Sequence, residues 1–233
     1  MTPVDAITAE AIARSVFGRL STVVRDRLLA ASVTASVAPG HNYMGADQPS
    51  PYRNGLVVSG LLRMYVESVE GRQITVRYAG PGHFFGAALM VVAEHDFPPS
   101  GVQSITAARI LYLNPTHLRA AARADPSVAW ALLHQVVRYQ LDLTRLLAGT
   151  AFGSIRQRTA MHLLNLSIAR SDGTLVAPVT QQALADAVGT TRETVARALG
   201  ELRAAGSIAS VRGGILLRDP ERLGAETQLG SGV

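Results

Sequence analysis

The sequence predicts a mixed α+β fold: a β-rich N-terminal roll, one long helix, and a C-terminal region of short helices followed by a β-hairpin. Three observations predict this order. Short β-branched runs alternate with turn residues from Ser32 to Leu113, Asp125-Pro126 opens a long helical run, and two short helical runs meet at Gly189. Frequent turns between short strands are typical of a sandwich or a barrel-like roll.

Composition narrows the function before any motif is considered. The chain has 233 residues, a length that suits two domains, and 48% of them are hydrophobic, which is enough for packed cores. It includes neither cysteine nor lysine. Without cysteine, disulfides, thiol catalysis and iron–sulfur clusters are excluded. Without lysine, a Walker-type phosphate loop and Schiff-base catalysis are excluded. The net charge of +5 permits a polyanionic partner.

The sequence shows neither a membrane span nor a secretory signal. No stretch approaches about 18 apolar residues without a charge. A signal peptide has a basic head followed by an apolar core. The first residues of this chain instead carry Asp5, Glu10 and Arg14 among alanines. We therefore expect a cytoplasmic protein with no membrane partner.

The N-terminal region is expected to combine one helix with several strands. Apolar residues spaced by three or four predict a helix over residues 10–31. Strands are predicted at Leu56–Val58, Leu61–Val69, Gln73–Tyr78 and Ser104–Leu113. Turns are predicted at Pro39-Gly40, Asn54-Gly55, Glu70-Gly71 and Pro81-Gly82, of which Asn54-Gly55 and Glu70-Gly71 suit tight hairpins.

A long helix is predicted from Asp125-Pro126 to about Gly149, after Asn114-Pro115 ends the strands. Apolar residues at a 3-4 spacing form a seam that predicts a coiled-coil dimer, with its one polar member able to fix the register. The seam residues are Leu133, Val136, Gln140, Leu143 and Leu147. The alternative is a helix packed only on its own roll, because Leu132, Val137, Leu141 and Leu146 are apolar too.

The C-terminal region carries the motif that is most specific for function. A hinge is predicted at Gly149–Gly153 and a helix over Ile155–Leu166. Further on, Gly189 supplies a left-handed turn between two helices, Ala185 is small where they cross, and Val195 is the buried residue of the second helix. A helix-turn-helix requires this spacing sterically. A wing follows, with strands Ile208–Val211 and Ile215–Arg218 around a Gly213-Gly214 turn, and the tail from Gly224 to Val233 is predicted to be disordered.

The second helix of this motif is predicted to read DNA bases. Its core stripe is Val195, Leu199 and Leu202, so that Glu193 and Arg197 project away from the core, beside Arg192. Arginine pairs bidentately with guanine and glutamate accepts from cytosine. Phosphate contacts are predicted for Thr180, Gln182, Thr191, Thr194 and Arg212. The alternative is a solvated helix face with a Glu193–Arg197 ion pair.

At this point the sequence resembles the cyclic-AMP receptor protein/FNR (Crp/Fnr) family over about residues 15–220. Gly189-Thr-Thr-Arg-Glu-Thr-Val-Ala-Arg197 is close to the family's recognition-helix signature. Val58-Ser-Gly60 through Gly71-Arg72, with Gly82-His-Phe-Phe-Gly86, resembles its β-roll, and Ala151-Phe152 with the helix after it resembles its hinge.

The resemblance implies a homodimeric transcription regulator of double-stranded DNA. Residues 1–124 would be an effector-sensing, cyclic-nucleotide-binding-like β-roll, residues 125–150 a dimerisation helix and hinge, and residues 151–233 a winged helix-turn-helix. Arg192, Glu193 and Arg197 would read GTGA-like half-sites of a palindrome. RNA polymerase would be a further partner if the protein is an activator.

The effector pocket departs from the family pattern. The positions that the resemblance assigns to it are Gly86, Ala87, Ala88, Leu89, Gln103, Ser104, Leu143 and Thr144. Ala87 stands where relatives that bind cyclic AMP have a glutamate for the ribose, and Pro98 to Gln103 lacks their arginine for the phosphate. A buried phosphate without a cation is unfavourable, so we expect that cyclic AMP does not bind in the usual mode.

Other functions stay open on the sequence alone. A haem sensor of the same family would need an axial ligand such as His83, His95 or His117, whereas an apolar ligand or a closed, ligand-independent pocket fits the run from Ala87 to Val92. A hydrolytic enzyme would have to use His83, His95 and Asp96, but no catalytic motif accompanies them. A third reading is an interaction module whose winged helix binds protein rather than DNA. We expect a regulator and no enzyme.

Overall fold

A computed structural model of the chain describes residues 5–44, 54–71, 73–91, 99–170 and 172–227. Contacts divide it into two units, Met1–Ser68 with Arg77–Asp142 and Val69–Val76 with Leu143–Val233. The predicted domain boundaries near residues 124 and 150 follow the ends of the long helix instead, and they stay a prediction.

The first unit opens with helical segments that serine side chains interrupt. The single helix predicted over residues 10–31 is wrong, because the chain forms α1 (Ala6–Arg14), a 3₁₀ turn (Val16–Arg19) and α2 (Thr22–Leu29). Ser15 is extended, and its hydroxyl donates to the carbonyl of Ile12 (2.7 Å) and accepts from the amide of Phe17 (3.1 Å). Ser21 caps α2, with its hydroxyl accepting from the amide of Val24 (3.4 Å). Serine hydroxyls that bond nearby backbone compete with helix continuation.

Two antiparallel sheets form the predicted roll. Their orders are β1-β8-β3-β6 and β2-β7-β4-β5. The strand predicted over Ser104–Leu113 is shorter, because Ser104 ends one strand, the backbone bends at residues 105–106, and the next strand covers Ala108–Tyr112. The strands are β1 (Val33–Val37), β2 (Asn42–Met44), β3 (Gly55–Ser59), β4 (Leu62–Glu67), β5 (Gln73–Ala79), β6 (Phe84–Phe85), β7 (Ser100–Ser104) and β8 (Ala108–Tyr112), with a 3₁₀ turn at Ala88–Met90 after β6.

Of the two predicted hairpin turns, one is confirmed. Gly71 has φ +76° between β4 and β5, as a tight turn requires. The Asn54-Gly55 prediction is wrong, because Gly55 begins β3 without a positive φ. A Cβ at Gly55 would lie 2.7 Å from Cγ2 of Ile110, so the glycine there permits close packing of β3 on β8.

The core of the roll lies between α1, the sheets and the start of the long helix. Phe17 and Phe84 pack edge to face with ring centroids 4.9 Å apart, and both are almost fully buried. Asn114 caps α3 (Pro115–Ala124), with its side chain accepting from two backbone amides. The long helix α4 (Pro126–Phe152) begins where Asp125 Oδ1 accepts from the amide of Ser127 (2.8 Å), and it buries Val128, Ala131 and Leu132 in the same core.

The second unit contains the predicted winged helix-turn-helix. Its sheet pairs Ile208–Val211 with Gly214–Leu217, Gly214–Leu217 with Leu175–Ala177, and Leu175–Ala177 with Ile168–Ala169. The predicted wing turn is confirmed by Gly213, at φ +86°. The predicted disorder from Gly224 is wrong as far as Glu226, because Leu223 is buried and anchors a last helix. The elements are α5 (Ile155–Leu166), β9 (Ile168–Ala169), β10 (Leu175–Ala177), α6 (Gln181–Val188), α7 (Arg192–Ala204), β11 (Ile208–Val211), β12 (Gly214–Leu217) and α8 (Pro220–Glu226).

A bidentate ion pair holds α8 on α5. Arg156 Nε and Nη2 donate to the two carboxylate oxygens of Glu226 at 2.7 and 2.8 Å, and this contact raises the pKa of Arg156. Paired parallel hydrogen bonds of this kind fix geometry as well as charge. None of the helices in the described ranges has the length and apolar character needed to cross a membrane.

Candidate nucleic-acid interface

The turn between α6 and α7 has the geometry that the sequence predicts. Gly189 lies at φ +75° and ψ +44°, and its amide and that of Thr190 both donate to the carbonyl of Ala185 (2.9 and 3.0 Å). These bonds close the end of α6. Thr191 then caps α7, accepting from the amide of Thr194 (3.3 Å). The backbone bonds of the turn and the Thr191 cap together define where α6 ends and α7 begins.

The inner face of α7 anchors it in the second unit. Val195, Leu199 and Leu202 are fully buried, as is Ala185 on α6. Helices α6 and α7 both pack on α5. A stripe of this kind leaves the opposite face of α7 free of any packing role.

The outer face of α7 presents the three predicted base-reading residues together. Arg192, Glu193 and Arg197 are all exposed. Across the described residues, neither Glu193 nor Arg197 forms an ion pair or a side-chain hydrogen bond, although they are one turn apart. The alternative of a solvated Glu193–Arg197 pair is therefore not what the structure has. Both ends of the trio are available to an external partner.

The predicted phosphate-contacting residues lie at helix starts and at the wing. Thr180 caps α6 with its hydroxyl accepting from the amide of Ala183 (3.1 Å). Gln182 is exposed but donates to Oδ1 of Asp186 (2.9 Å), so a phosphate would have to compete with that bond. Thr191 is exposed and Thr194 is half-buried, with their hydroxyls 3.0 Å apart. Arg212 is exposed at the wing turn.

One further cation was missed by sequence reasoning. Nη2 of Arg170 donates to the carbonyl of Arg212 (3.4 Å), so two exposed guanidinium groups lie at the wing. Their sequence separation hides this contact, which depends on β10 pairing with β12.

The predicted dimer seam is an exposed apolar stripe on α4. Leu133, Val136 and Leu147 are 50%, 40% and 62% exposed, Gln140 is exposed, and Leu143 is half-buried. Apolar side chains repeated along one helix face at this exposure need a covering surface.

The predicted effector residues are only partly brought together. Gly86 has φ +81°, Ala87 is buried and Ala88 is half-buried at the start of a 3₁₀ turn, whereas the side chain of Leu89 lies outside the described residues. Ser104 is buried, and its hydroxyl donates to the carbonyl of Thr106. Leu143 is half-buried and Thr144 is exposed on the part of α4 that groups with the second unit.

Gln103 is engaged by an arginine that the sequence analysis did not assign. Nη1 of Arg63 donates to Oε1 of Gln103 (3.4 Å) across the β4–β7 pair. Because side chains alternate along a strand, both lie on the sheet face opposite Met64, whose sulfur is 3.9 Å from the hydroxyl of Tyr139 on α4.

The histidine candidates do not form a cluster in the described chain. His83 is exposed, and its Nδ1 lies 3.0 Å from the carbonyl of Gly80. His117 is in the first turn of α3, and His95 and Asp96 lie outside the described residues. Among the residues described, no group of three or more histidine, cysteine or acidic side chains could hold a metal ion.

Comparisons with known proteins match this architecture. The model of the Crp-like helix-turn-helix domain matches residues 157–226. The transcriptional regulator SdrP of Thermus thermophilus is 31% identical over 167 residues, covering 70% of this chain and 78% of that protein. The CRP-like cAMP-activated global transcriptional regulator of Mycobacterium tuberculosis is 27% identical over 191 residues, covering 79% and 83% of the two chains.

Solved structures agree with these sequence matches. A CRP/FNR-family transcriptional regulator from Thermus thermophilus superposes with a TM-score of 0.65 at 29% identity, covering 85% of this chain and all of that one. FixK2 from Bradyrhizobium japonicum superposes with a TM-score of 0.69 at 24% identity, covering 87% and 98%, which supports the fold.

A pair of glycine variants tests the turn that orients α7. Gly189→Ala is expected to lower the free energy of unfolding by about 1–2 kcal/mol, because alanine is disfavoured at positive φ although no atom lies near the added Cβ. Gly200→Ala, in the interior of α7 with equally open surroundings, is expected to raise it by about 0.5–1 kcal/mol. Urea denaturation measures both, and equal effects of the two substitutions would contradict the assignment of Gly189.

Proposed function

Because the chain belongs to the Crp/Fnr family of transcription regulators, we propose that it acts as a homodimer whose two α7 helices read a palindromic DNA site with GTGA-like half-sites. Family membership makes the protein a DNA-binding regulator and sets aside the enzyme alternative. The observation that carries the proposal is that Arg192, Glu193 and Arg197 are all exposed together on a helix whose other face is fully buried.

The trio suits the major groove. Each arginine offers two parallel N–H donors that match O6 and N7 of guanine, and Glu193 offers an acceptor for N4 of cytosine. Thr180 and Thr191 lie at helix N-termini, where backbone amides and the helix dipole favour a phosphate. Arg212 and Arg170 at the wing add cations for the DNA backbone. This division separates base reading from positioning.

Dimerisation is required by the length of the site and supported by the exposed seam. A single α7 covers one half-site, and two must sit about 34 Å apart to read a palindrome. The stripe of Leu133, Val136, Leu143 and Leu147 provides the apolar surface, and Gln140 interrupts it once, as a register-setting polar residue would. If this dimer activates transcription, RNA polymerase is its further partner.

We propose that cyclic AMP is not the effector in the usual mode. Ala87 offers no hydrogen-bond acceptor for a ribose, and Gln103 is neutral and already engaged with Arg63 and with the carbonyl of Gly40 (3.4 Å). The Mycobacterium tuberculosis relative is named as cAMP-activated, so this chain would differ from it in effector. An apolar ligand, a closed pocket and a haem bound through His83 or His117 are the alternatives for the roll.

Arginine variants test the reading of bases. Arg192→Ala and Arg197→Ala are each expected to cost about 1–3 kcal/mol in binding to a GTGA palindrome and to relax the preference at one base position. Arg222→Ala, which changes another exposed arginine, on α8, is the control and should bind normally. Binding is measured by fluorescence anisotropy over a range of salt concentrations, against a half-site library. Full specificity in either α7 variant would refute the assignment.

The seam variant tests dimerisation. Leu133→Glu is expected to convert the dimer to a monomer, because two charges would be buried where the α4 helices meet. Val23→Glu places the same charge on an exposed valine of α2, at 69% exposure, and should leave the dimer intact. Light scattering after gel filtration gives both masses. A monomeric wild-type chain, or a dimeric Leu133→Glu variant, would contradict the seam.

A titration tests the effector proposal. Cyclic AMP at millimolar concentration is expected to leave the affinity of the wild-type protein for its palindrome unchanged. Cyclic GMP serves as the control for weak nucleotide effects. A tenfold or larger increase in affinity with cyclic AMP alone would show that the altered pocket still accepts it.

A further inference from the structure

The first unit contains a cavity of about 430 Å³ that is separate from the residues assigned to the effector pocket. The segment Arg14–Leu20 lines one side, Pro81–His83 lines another, and the face of α4 from Ser127 to Asp142 lines a third. Gly82 has φ +85° there, and a Cβ on it would lie 2.9 Å from that of Arg14, so the glycine lets the loop approach α1. The volume lies within the range of small-molecule sites.

The lining of this cavity is strongly cationic. Four arginines and two histidines face a single aspartate, Asp142; the cationic and titratable residues are Arg14, Arg19, Arg77, Arg138, His83 and His134. Arg14 also pairs with Glu10 along α1. Within the described part of the chain, neither Arg19 nor Arg138 has an ion-pair or side-chain hydrogen-bond partner. Charge on this scale inside a concave surface concentrates a positive potential.

Arg77 is the most enclosed of these cations. Its Nη1 is buried, and no hydrogen-bond acceptor for it lies among the described residues. The guanidinium carbon lies 4.8 Å from the centroid of the Tyr139 ring. Burial lowers the pKa of Arg77 most, Asp142 and Tyr139 oppose that change, and the charge of Arg138 lowers the pKa further. Arg77 also lines the cavity, so its guanidinium places a positive charge where an anion would bind.

The positive charge around the cavity also affects His83. Although His83 is exposed, the surrounding protein partly desolvates its imidazole, which lowers the pKa of His83 most, and the positive charge of Arg77 lowers it further. A neutral imidazole at the cavity wall still offers a hydrogen-bond donor or acceptor. Gln135, which is buried, and Ser127 add uncharged polar groups from α4.

We propose that this cavity binds a small polyanion bearing phosphate or carboxylate groups, held by Arg77 and Arg138, with its less polar part against Trp130. The flat ring of Trp130 lines the same cavity and is 70% exposed. Guanidinium groups match carboxylate and phosphate oxygens bidentately. Binding of such an anion would be a function additional to DNA reading. All the residues that line the cavity belong to the first unit.

Trp130 provides the readout, because it is the sole tryptophan of the chain. Inorganic pyrophosphate and citrate are titrated separately into the full-length protein at constant ionic strength, with sodium chloride and sulfate as controls. We expect a saturable change in tryptophan emission with pyrophosphate or citrate. Arg77→Gln and Arg138→Gln are expected to weaken it about tenfold or more. Arg123→Gln, which removes an exposed arginine of α3 outside the cavity, should leave it unchanged.

Each other outcome overturns the proposal. A change that chloride or sulfate reproduces would indicate general screening, and an equal loss in Arg123→Gln would indicate an effect of net charge. Emission that follows protein concentration instead of probe concentration would mean that a second copy fills the cavity. Absence of a saturable change with both probes overturns it directly. If the Arg77→Gln variant unfolds, the proposal is still tested by comparing the wild-type protein with Arg138→Gln, because Arg138 is exposed. Because no DNA is present, the result is independent of base reading by α7.

Discussion

The structure depends on the long helix α4, which carries apolar residues on two faces, and each face needs a surface to pack against. On one side, α4 buries Val128, Ala131 and Leu132 in the core of the roll; on another, it leaves Leu133 and Leu147 at least half exposed. A helix that is apolar on more than one side needs more than one packing surface. The roll supplies the first surface, and in the proposed dimer a second copy of the same helix would supply the other, since a two-fold axis makes the stripe complementary to itself.

The sequence predicted well those features that depend on residues close together in the chain, namely turns, helix caps and buried stripes. The turn at Gly189, the cap at Thr191 and the buried stripe from Val195 to Leu202 depend on neighbours a few residues away, so their spacing alone predicts them. The same is true of Asn114, which caps α3 where the strands end. The exposure of Arg192, Glu193 and Arg197 then follows from helical geometry once the buried side of α7 is known.

The errors arose where the deciding contact was not visible in the local pattern. Apolar periodicity ran through residues 10–31, but the hydroxyl of Ser15 captured backbone groups and broke the helix. Gly55 looked like a turn glycine, whereas its role is set by Ile110, far away in the sequence. The end of the chain looked polar and small, but Arg156 and the buried Leu223 hold α8 in place. The cationic cavity was missed for the same reason, because its arginines lie far apart in the sequence.

The use of arginine as the only basic residue type links the two surfaces at which this regulator meets anions. A guanidinium stays charged when it is partly buried, so Arg77 remains a cation in a cavity that lowers its pKa, where an ammonium would lose its proton more readily. In the proposed DNA complex, the same planar fork on α7 would pair with a guanine edge. Between these sites the covalent route is α4, which carries Arg138 next to Val136 and Val137 and continues toward α5. If the proposed dimer forms along the α4 seam, a ligand in the cavity would contact the same helix that joins the two copies, which gives it a route to bias the state of the dimer.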